Sequence, residues 1–350
     1  MKNKDYKLSI LVPSWNGEIY IENCLNSLLE NDYNNVQIIT IAGGIDRCYD
    51  ISLKFQEKYP EKVIALKQEI GNKNRALNVG LAKVDGDIII LTDVDCVYSK
   101  NWLKKINKIF QNTEINVITG SYLPFQHVKN ALAEFNRIRG GYKLVSFPDG
   151  EIVIGNKLSG GNSAFRKEIF NKKIGKFDET LKTGEDKILG IKFNEKGELL
   201  YYFRDIYIYT ELYSNNLKKL INHRVRWARD LFIDLKSNDI PKLIVLLGIG
   251  LFKLFYPIFA LIVWLIFYNS SMNCLYLLLS PWFVFYVFYI VRFYFELKIK
   301  ANKVNAELGT NLNHWKAFKI TPLMYFVFGI ISIRSFINPK KRKWYHQKKN

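Results

Sequence analysis

The chain has 350 residues, 49% of them hydrophobic, enough for one large cored domain or two smaller ones. Fifty-one Lys and Arg against 32 Asp and Glu leave a formal charge of +19, which suits nucleic acid, anionic lipid or a phosphorylated small molecule. Its four cysteines, Cys24, Cys48, Cys96 and Cys274, have no CxxC or CxxH spacing, which argues against a zinc site and a disulfide framework and leaves reduced, cytosolic thiols as the expectation.

The N-terminal stretch "MKNKDYKLSILVPSWNGEIY" has too short an apolar run for a secretory signal, so the first part of the chain is expected to stay in the cytoplasm. From there to about Asp239, short apolar runs ("LSILVP", "VQIITIA", "KVIAL", "DIIILTD") alternate with amphipathic stretches such as "YIENCLNSLLEN" and "ISLKFQEKYP". That rhythm predicts strand, helix, strand, and therefore a mostly parallel α/β sheet covered by helices. There is no internal repeat and no low-complexity linker.

Chemistry-bearing motifs punctuate this half. "PSWN" follows the first predicted strand and leads into a helical pattern, which places Pro13, Ser14 and Asn16 where a loop meets a nucleotide. "GNKNRALNVGL" precedes a greasy strand and puts Lys73 and Arg75 in reach of phosphates. That strand, "GDIIILTDVDCVY", ends on Asp93 and Asp95, at the C-terminal edge where open parallel sheets bind ligands. Carboxylates at i and i+2 there can share one hard cation that bridges to a diphosphate; the same pair can equally be solvated turn aspartates.

"SGGNSAFRKEIF" reads as a small-residue loop entering a helix, with Gly160, Gly161 and Asn162 suited to close backbone approach or to a simple turn. "FDETLKTGED" offers the acidic pair Glu185 and Asp186, although Thr183 and Asp186 also have the spacing of a helix capping box. Last comes "HRVRW", His223 to Trp227, on an amphipathic pattern whose stripe includes Leu217, Leu220, Ile221 and Ala228. Arg226 lies nearly opposite that stripe, so this helix is expected on a membrane surface, apolar side down.

In this order and spacing the chain, from about Leu8 to Arg229, resembles the family 2 glycosyltransferases of GT-A fold, especially the membrane-integrated branch containing cellulose and hyaluronan synthases. The resemblance implies a GT-A (Rossmann-like) domain that transfers a sugar from a nucleotide diphosphate donor with inversion. It implies that Asp93 contacts the nucleotide, that Asp95 ligates a divalent metal (Mg2+ or Mn2+) with Asp93 beside it, and that Asp186 is the general base with Glu185 next in line. Arg226 and Trp227 match the RW of a QxxRW motif beside the pyrophosphate and acceptor. Two departures stand out. The second strand ends in "IAGGID" rather than an acidic "DDGS"-like turn, leaving Asp46 as the nearest carboxylate to the base, and His223 replaces the motif's glutamine. The chemistry asks for the same parts, since a direct displacement needs one base for the acceptor hydroxyl and one cation for the leaving diphosphate.

From Pro241 the composition changes. "KLIVLLGIGLFKLFYPIFALIVWLIFY" (Lys242 to Tyr268) and "CLYLLLSPWFVFYVFYIV" (Cys274 to Val291) approach the roughly 20 residues of a bilayer span. Lys253 interrupts the first and would cost about 3 kcal/mol at the bilayer centre, so it is expected to snorkel or face protein. A shorter run, Ile320 to Ile333, contains Pro322 and Gly329 and reads as re-entrant or interfacial. Six Lys and Arg in "NPKKRKWYHQKK" place the tail on the cytoplasmic side, which two spans satisfy and three do not.

The expected organisation is a cytoplasmic catalytic domain (1–215), an interfacial helix (216–240), a membrane region (241–337) and a basic tail (338–350). The expected function is a multi-pass membrane glycosyltransferase using a nucleotide sugar, UDP-linked by expectation, on a lipid-linked or glycan acceptor. Membrane lipid rather than nucleic acid is the expected partner of the basic residues. A nucleotidyltransferase is the rival enzyme, though "LVPSWNGEIY" lacks a Gly-rich phosphate loop, and a scaffold with an impaired transferase domain is the rival outside catalysis.

Overall fold

The computed structural model describes residues 4–124, 130–146, 151–152, 158–181, 184–210 and 281–337, with a discontinuous set between 217 and 251. As far as these residues go, the chain forms two units, one from Met1–Phe125 and Leu144–Glu211, the other from Gln126–Lys143 and Leu212–Arg342. The excursion at 126–143 was not separable in the sequence.

In chain order the first unit contains β1 (Leu8–Trp15), α1 (Glu18–Leu29), β2 (Val36–Gly43), α2 (Cys48–Lys58), β3 (Val63–Gln68), α3 (Lys73–Leu81) and β4 (Ile88–Thr92). There follow β5 (Cys96–Val97), α4 (Trp102–Phe110), β6 (Val117–Thr119) and β7 (Tyr122–Pro124). After α5 (Ala131–Val145) come β8 (Glu151–Ile152), β9 (Asn162–Arg166), α6 (Lys167–Lys173), α7 (Glu185–Glu195), β10 (Leu200–Tyr202) and β11 (Ile208–Thr210).

The main sheet has eight strands in the order β3-β2-β1-β4-β9-β6-β10-β8, and a second sheet runs β5-β11-β7. β1 pairs in parallel with β2 and β4, whereas β9 lies antiparallel between β4 and β6. The sheet is therefore mixed and mostly parallel, as expected.

Its central strands are buried on both faces, which is why they read as continuous apolar runs. Period two then divides their side chains. Ile88 and Ile90 of β4 pack with Leu25 and Leu28 of α1 and Trp102 of α4, while Ile89 and Leu91 pack with Leu77 of α3 and Leu189 and Phe193 of α7. Each such side chain contributes about 1.5–3 kcal/mol by leaving water. The two packed layers hold α3 and α7 on one face, and both helices carry site residues.

Two local expectations need correction. β1 runs through Trp15, so Pro13 and Ser14 belong to the strand and only Asn16 and Gly17 make the turn. The glycines of "SGGN" enter β9 rather than a helix, and the helix α6 starts only at Lys167.

The second unit contains α8 (Pro281–Leu308), α9 (His314–Phe318) and α10 (Thr321–Ile337). Phe135 of α5, Leu297 and Ala301 of α8, and Met324 and Val327 of α10 form its core. The guanidinium of Arg139 lies 5.5 Å from the Phe135 ring and 5.2 Å from that of Phe328.

The expected membrane-facing stripe of the 216–240 helix joins this core instead. Leu220 is buried, and Leu217, Ile221 and Ala228 pack against the cluster. Ser335 Oγ also donates to the Val225 carbonyl at 3.2 Å. For these four described residues the apolar side is thus satisfied by protein.

The predicted span Lys242–Tyr268 and the first part of Cys274–Val291 lie largely outside the described residues. Among the described residues, no helix is long and apolar enough to cross a membrane. The run Ile320 to Ile333 is helical within α10, which has 17 residues.

Candidate active site

The site is built from the ends of β4 and β9 and the first turns of α3 and α7. Asn72 caps α3, its Oδ1 accepting from the Arg75 amide at 3.1 Å, and this fixes the helix start at Lys73. Lys73 Nζ donates to Asp93 Oδ1 at 2.6 Å and to the Gly160 carbonyl at 3.3 Å, and pairs with Glu185 Oε1 at 2.8 Å. An ammonium has three hydrogens, and all three are spoken for. Burial alone would depress this ammonium, but the carboxylates of Asp93 and Glu185 outweigh it and hold Lys73 well above the usual lysine range. Lys73 is therefore a charged strut between two carboxylates. Arg75, the neighbouring candidate for phosphate contact, is exposed.

Asp93 follows β4 directly, and Asp95 sits two residues on, in the turn to β5. The glycine pair forms the opposite wall. A Cβ on Gly161 would stand 2.3 Å from Asp93 Oδ2, and one on Gly160 would lie 3.2 Å from Glu185 Oε1 and 3.3 Å from Asp186 Cβ. At Gly161 only glycine admits this approach, whereas at Gly160 the neighbours would have to give by a few tenths of an ångström. Gly161 N in turn donates to Tyr122 Oη at 2.6 Å, a partly buried phenol that the sequence did not single out.

Glu185 and Asp186 occupy the first turn of α7, whose positive end favours carboxylates. The N-cap is Gly184 with φ 79° and no side-chain cap bond, and Thr183 of the expected capping box lies outside the described residues. Asp186 Oδ1 accepts from the Lys187 amide at 2.8 Å. Loss of hydration, then the adjacent Glu185 charge, push the Asp186 carboxyl up to about 6, against the lowering pull of Lys73. At neutral pH it is ionised yet far more basic than an ordinary aspartate, as a general base requires.

Other predicted residues serve the frame. Asp46 Oδ2 accepts from the Glu18 amide at 2.9 Å and Oδ1 from the Cys48 amide at 3.2 Å, which anchors the starts of α1 and α2. Asn16, in a left-handed conformation at φ 54°, accepts from the Ile45 amide at 2.8 Å and ties the first βα turn to the second. Ser14 is buried with its Oγ 2.7 Å from Cys48 Sγ. Pro13 stays in the β1 ladder opposite Ile41. Asn162 is buried, and its amide donates to the Ser121 and Ile206 carbonyls at 3.0 and 2.8 Å. His223, Arg226 and Trp227 lie outside the described residues.

A divalent cation fits the donor set. Asp93, against the glycine wall, and Asp95, two residues on, offer two hard carboxylate ligands, and such a cation takes its remaining oxygens from substrate phosphate and water. Among the described residues there is no group of three His, Cys, Asp or Glu that could hold a metal without those outside ligands.

Residues 9–172, from β1 into α6, match a known sequence family, Glycosyl transferase family 2. Residues 9–172 form a family 2 glycosyltransferase domain. Relatives are distant. Probable glycosyltransferase YdaM of Bacillus subtilis is 25% identical, with 97% of this chain and 86% of that protein covered. Uncharacterized glycosyltransferase alr2836 of Nostoc sp. is 26% identical over 31% of this chain and 34% of its own length. Minor teichoic acid biosynthesis protein GgaB of Bacillus subtilis is 25% identical over 56% of this chain but only 22% of its own. In fold, the chain is similar to the mannosyltransferase PcManGT of Pyrobaculum calidifontis, whose structure holds GDP-Man and Mn2+, with TM-score 0.55, 16% identity, and 97% of this chain and 89% of that one covered. The family 2 domain carries Lys73, Asp93, Asp95 and the glycine pair; the acidic pair follows just beyond its end.

Proposed function

We propose that the chain is a membrane-bound inverting glycosyltransferase, taking a sugar from a nucleotide diphosphate donor, UDP-linked in our reading, to a lipid-linked or glycan acceptor. The observation that carries it is the raised basicity of Asp186 beside a strut that ties it, through Glu185 and Lys73, to the DxD aspartate Asp93. In the reaction the acceptor oxygen attacks the anomeric carbon as its proton passes to Asp186. The bond from that carbon to the diphosphate oxygen breaks on the opposite side, and the nucleoside diphosphate leaves. Asp93 and Asp95 would hold the divalent cation, which when bound supplies positive charge to the leaving diphosphate. Gly160 and Gly161 let the sugar approach the backbone between the two carboxylate groups.

The membrane part rests on the apolar runs and basic tail of the sequence, and on an exposed stripe of α8, Val287, Phe288, Val291, Phe295 and Ile299, with Trp315 of α9 also exposed. Apolar residues at that helical spacing suit the acyl and headgroup boundary, with the catalytic domain cytoplasmic.

The experiment is release of nucleoside diphosphate from a panel of UDP- and GDP-sugars by the purified full chain, with Mn2+ and with excess chelator. Turnover of one donor that vanishes on chelation is expected. No release from any donor, or turnover untouched by chelator, overturns the reading.

A further inference from the structure

We infer that Asn72, Asn74 and Asn78 of α3 form a positioning ladder that sets the Glu185–Asp186 pair relative to Asp93. Asn74 and Asn78 are one helical turn apart on one face of α3. Asn78 grips Phe177 at both ends, its Oδ1 accepting from the Phe177 amide at 2.8 Å and its Nδ2 donating to the Phe177 carbonyl at 3.0 Å, and it also donates to Glu179 Oε1 at 2.8 Å. Asn74 Nδ2 donates to the Asp178 carbonyl at 2.6 Å, and Asn72 Nδ2 to the Glu179 carbonyl at 2.8 Å. Segment 177–179 belongs to no sheet, so these side chains supply the partners its backbone would otherwise lack.

That segment leads to the left-handed Gly184 and the first turn of α7. Lys73, between Asn72 and Asn74 in sequence, meets Glu185 and Asp93 directly. One short helix therefore holds the approach to the acidic pair, the pair itself and the DxD aspartate. Packing alone does not place that turn. The apolar anchors of α7, Leu189 and Phe193, lie further along the helix. Beside the first turn is a shallow pocket of about 10 Å³, room for one water, lined by Asn74, Phe177, Asp178, Leu181, Glu185 and Leu189. Asn74 also keeps its Oδ1 buried without a partner among the described residues, a cost of about 1–3 kcal/mol that an apolar side chain would avoid. The amide group is retained for the bond its nitrogen makes.

This inference rests on the proposed reading of Asp186, and one series separates the two. The full chain is compared as wild type, Asn74→Ala, Asn78→Ala, Glu179→Ala, Asp186→Asn and Asn116→Ala. Asn116 is a control amide that donates to Glu198 at 2.7 Å. Sugar transfer and nucleoside diphosphate release are followed with UDP-GlcNAc and GDP-mannose, alongside melting temperature. Misplacing a reacting group by a fraction of an ångström to 1 Å lowers turnover by about 10- to 100-fold, so Asn74→Ala and Asn78→Ala should lose about 10-fold or more in kcat with donor KM within about twofold. Asn116→Ala should match their loss of melting temperature with kcat kept. Glu179→Ala removes one bond from an exposed side chain, leaves folding untouched and should lower kcat about twofold to threefold. Normal kcat in Glu179→Ala and in folded ladder variants overturns the inference, as does a fall in kcat that simply tracks melting temperature across all amide variants. If Asp186→Asn itself transfers normally, the base assignment fails whatever the ladder does.

Discussion

Asp186→Asn tests catalysis and electrostatics in one substitution. Moving the carboxyl from 3.8 to about 6 means that its ionised form is about 3 kcal/mol worse placed in the fold than in the unfolded chain, at about 1.4 kcal/mol per tenfold change in proton affinity. Partial exposure trims that to about 2 kcal/mol, and the helix N-terminus returns about 0.5 kcal/mol for the negative charge that Asn lacks. The sign follows from the raised affinity. Stability due to this group is fully present below 3.8 and is lost as pH rises through about 6, so the wild type carries the penalty at pH 8 and Asn does not. Asn keeps the bond to the Lys187 amide. Asp186→Asn should therefore melt about 3–6 °C above wild type at pH 8, at about 2–4 °C per kcal/mol for a unit of this size, and show no gain near pH 4. Transfer should fall about 100-fold or more with donor affinity preserved, and wild-type transfer should rise with pH through about 6 and then level off. Differential scanning fluorimetry at two pH values and a transfer assay suffice. A folded, donor-binding variant with near-normal transfer refutes the base; equal melting shifts at both pH values refute the electrostatics.

Lys73→Met leaves Asp93 and Glu185 facing each other without their cation, and breaking such a largely buried network should cost about 3 kcal/mol, read as a lower denaturant midpoint; an unchanged midpoint would mean that the strut carries no stability. Gly161→Ala drives a methyl into Asp93 Oδ2 and should cost about 1–3 kcal/mol while abolishing turnover, which crystallography of a folded variant would trace to a displaced carboxylate. Asp95→Ala should remove divalent-dependent turnover, since one carboxylate and water hold such a cation poorly; Mn2+ titration at fixed donor detects a variant that still saturates like wild type.

The sheet was legible because its central strands are buried on both faces and therefore write themselves as apolar runs, as in Ile88 to Leu91. The place of Asp93 and Asp95 just past β4 was legible for a related reason, since carboxylates cannot continue such a buried run. What sequence could not supply was the partner across the fold. Lys73 looks like a phosphate contact when only its neighbours are known, and becomes a strut once Glu185 and Gly160 are seen to take its remaining hydrogens. Asp46 reads as the nearest carboxylate to the base, and what the sequence did not show is that its oxygens also accept from two helix-start amides. The asparagines of "GNKNRALN" carry a visible signal, three amides in seven residues, but the loop they grip lies about a hundred residues on. Period alone misled for Leu217, Leu220 and Ile221, because an amphipathic stripe states that something apolar covers it, not whether protein or lipid does.

Charge at the site explains why a cation belongs there on grounds independent of kinship. Asp93, Glu185 and Asp186 are three carboxylates gathered around one ammonium, that of Lys73, and Asp95 follows two residues after Asp93. Every hydrogen of that ammonium is already bonded within the protein, so Lys73 cannot turn to a diphosphate without abandoning a carboxylate. Among the described residues, the local balance at neutral pH is therefore negative, and a diphosphate donor, itself an anion, would be repelled. The raised affinity of Asp186 owes most to loss of hydration, and the charges of Glu185 and Asp93 add to it. Asp93 and Asp95 would hold a dication, whose charge would reverse the sign of that balance and favour an anionic donor. The arrangement also divides the work between the carboxylates. Asp93 and Asp95 face the charge that must be neutralised, and Asp186, held apart by the Lys73–Glu185 strut, keeps the basicity that proton removal requires.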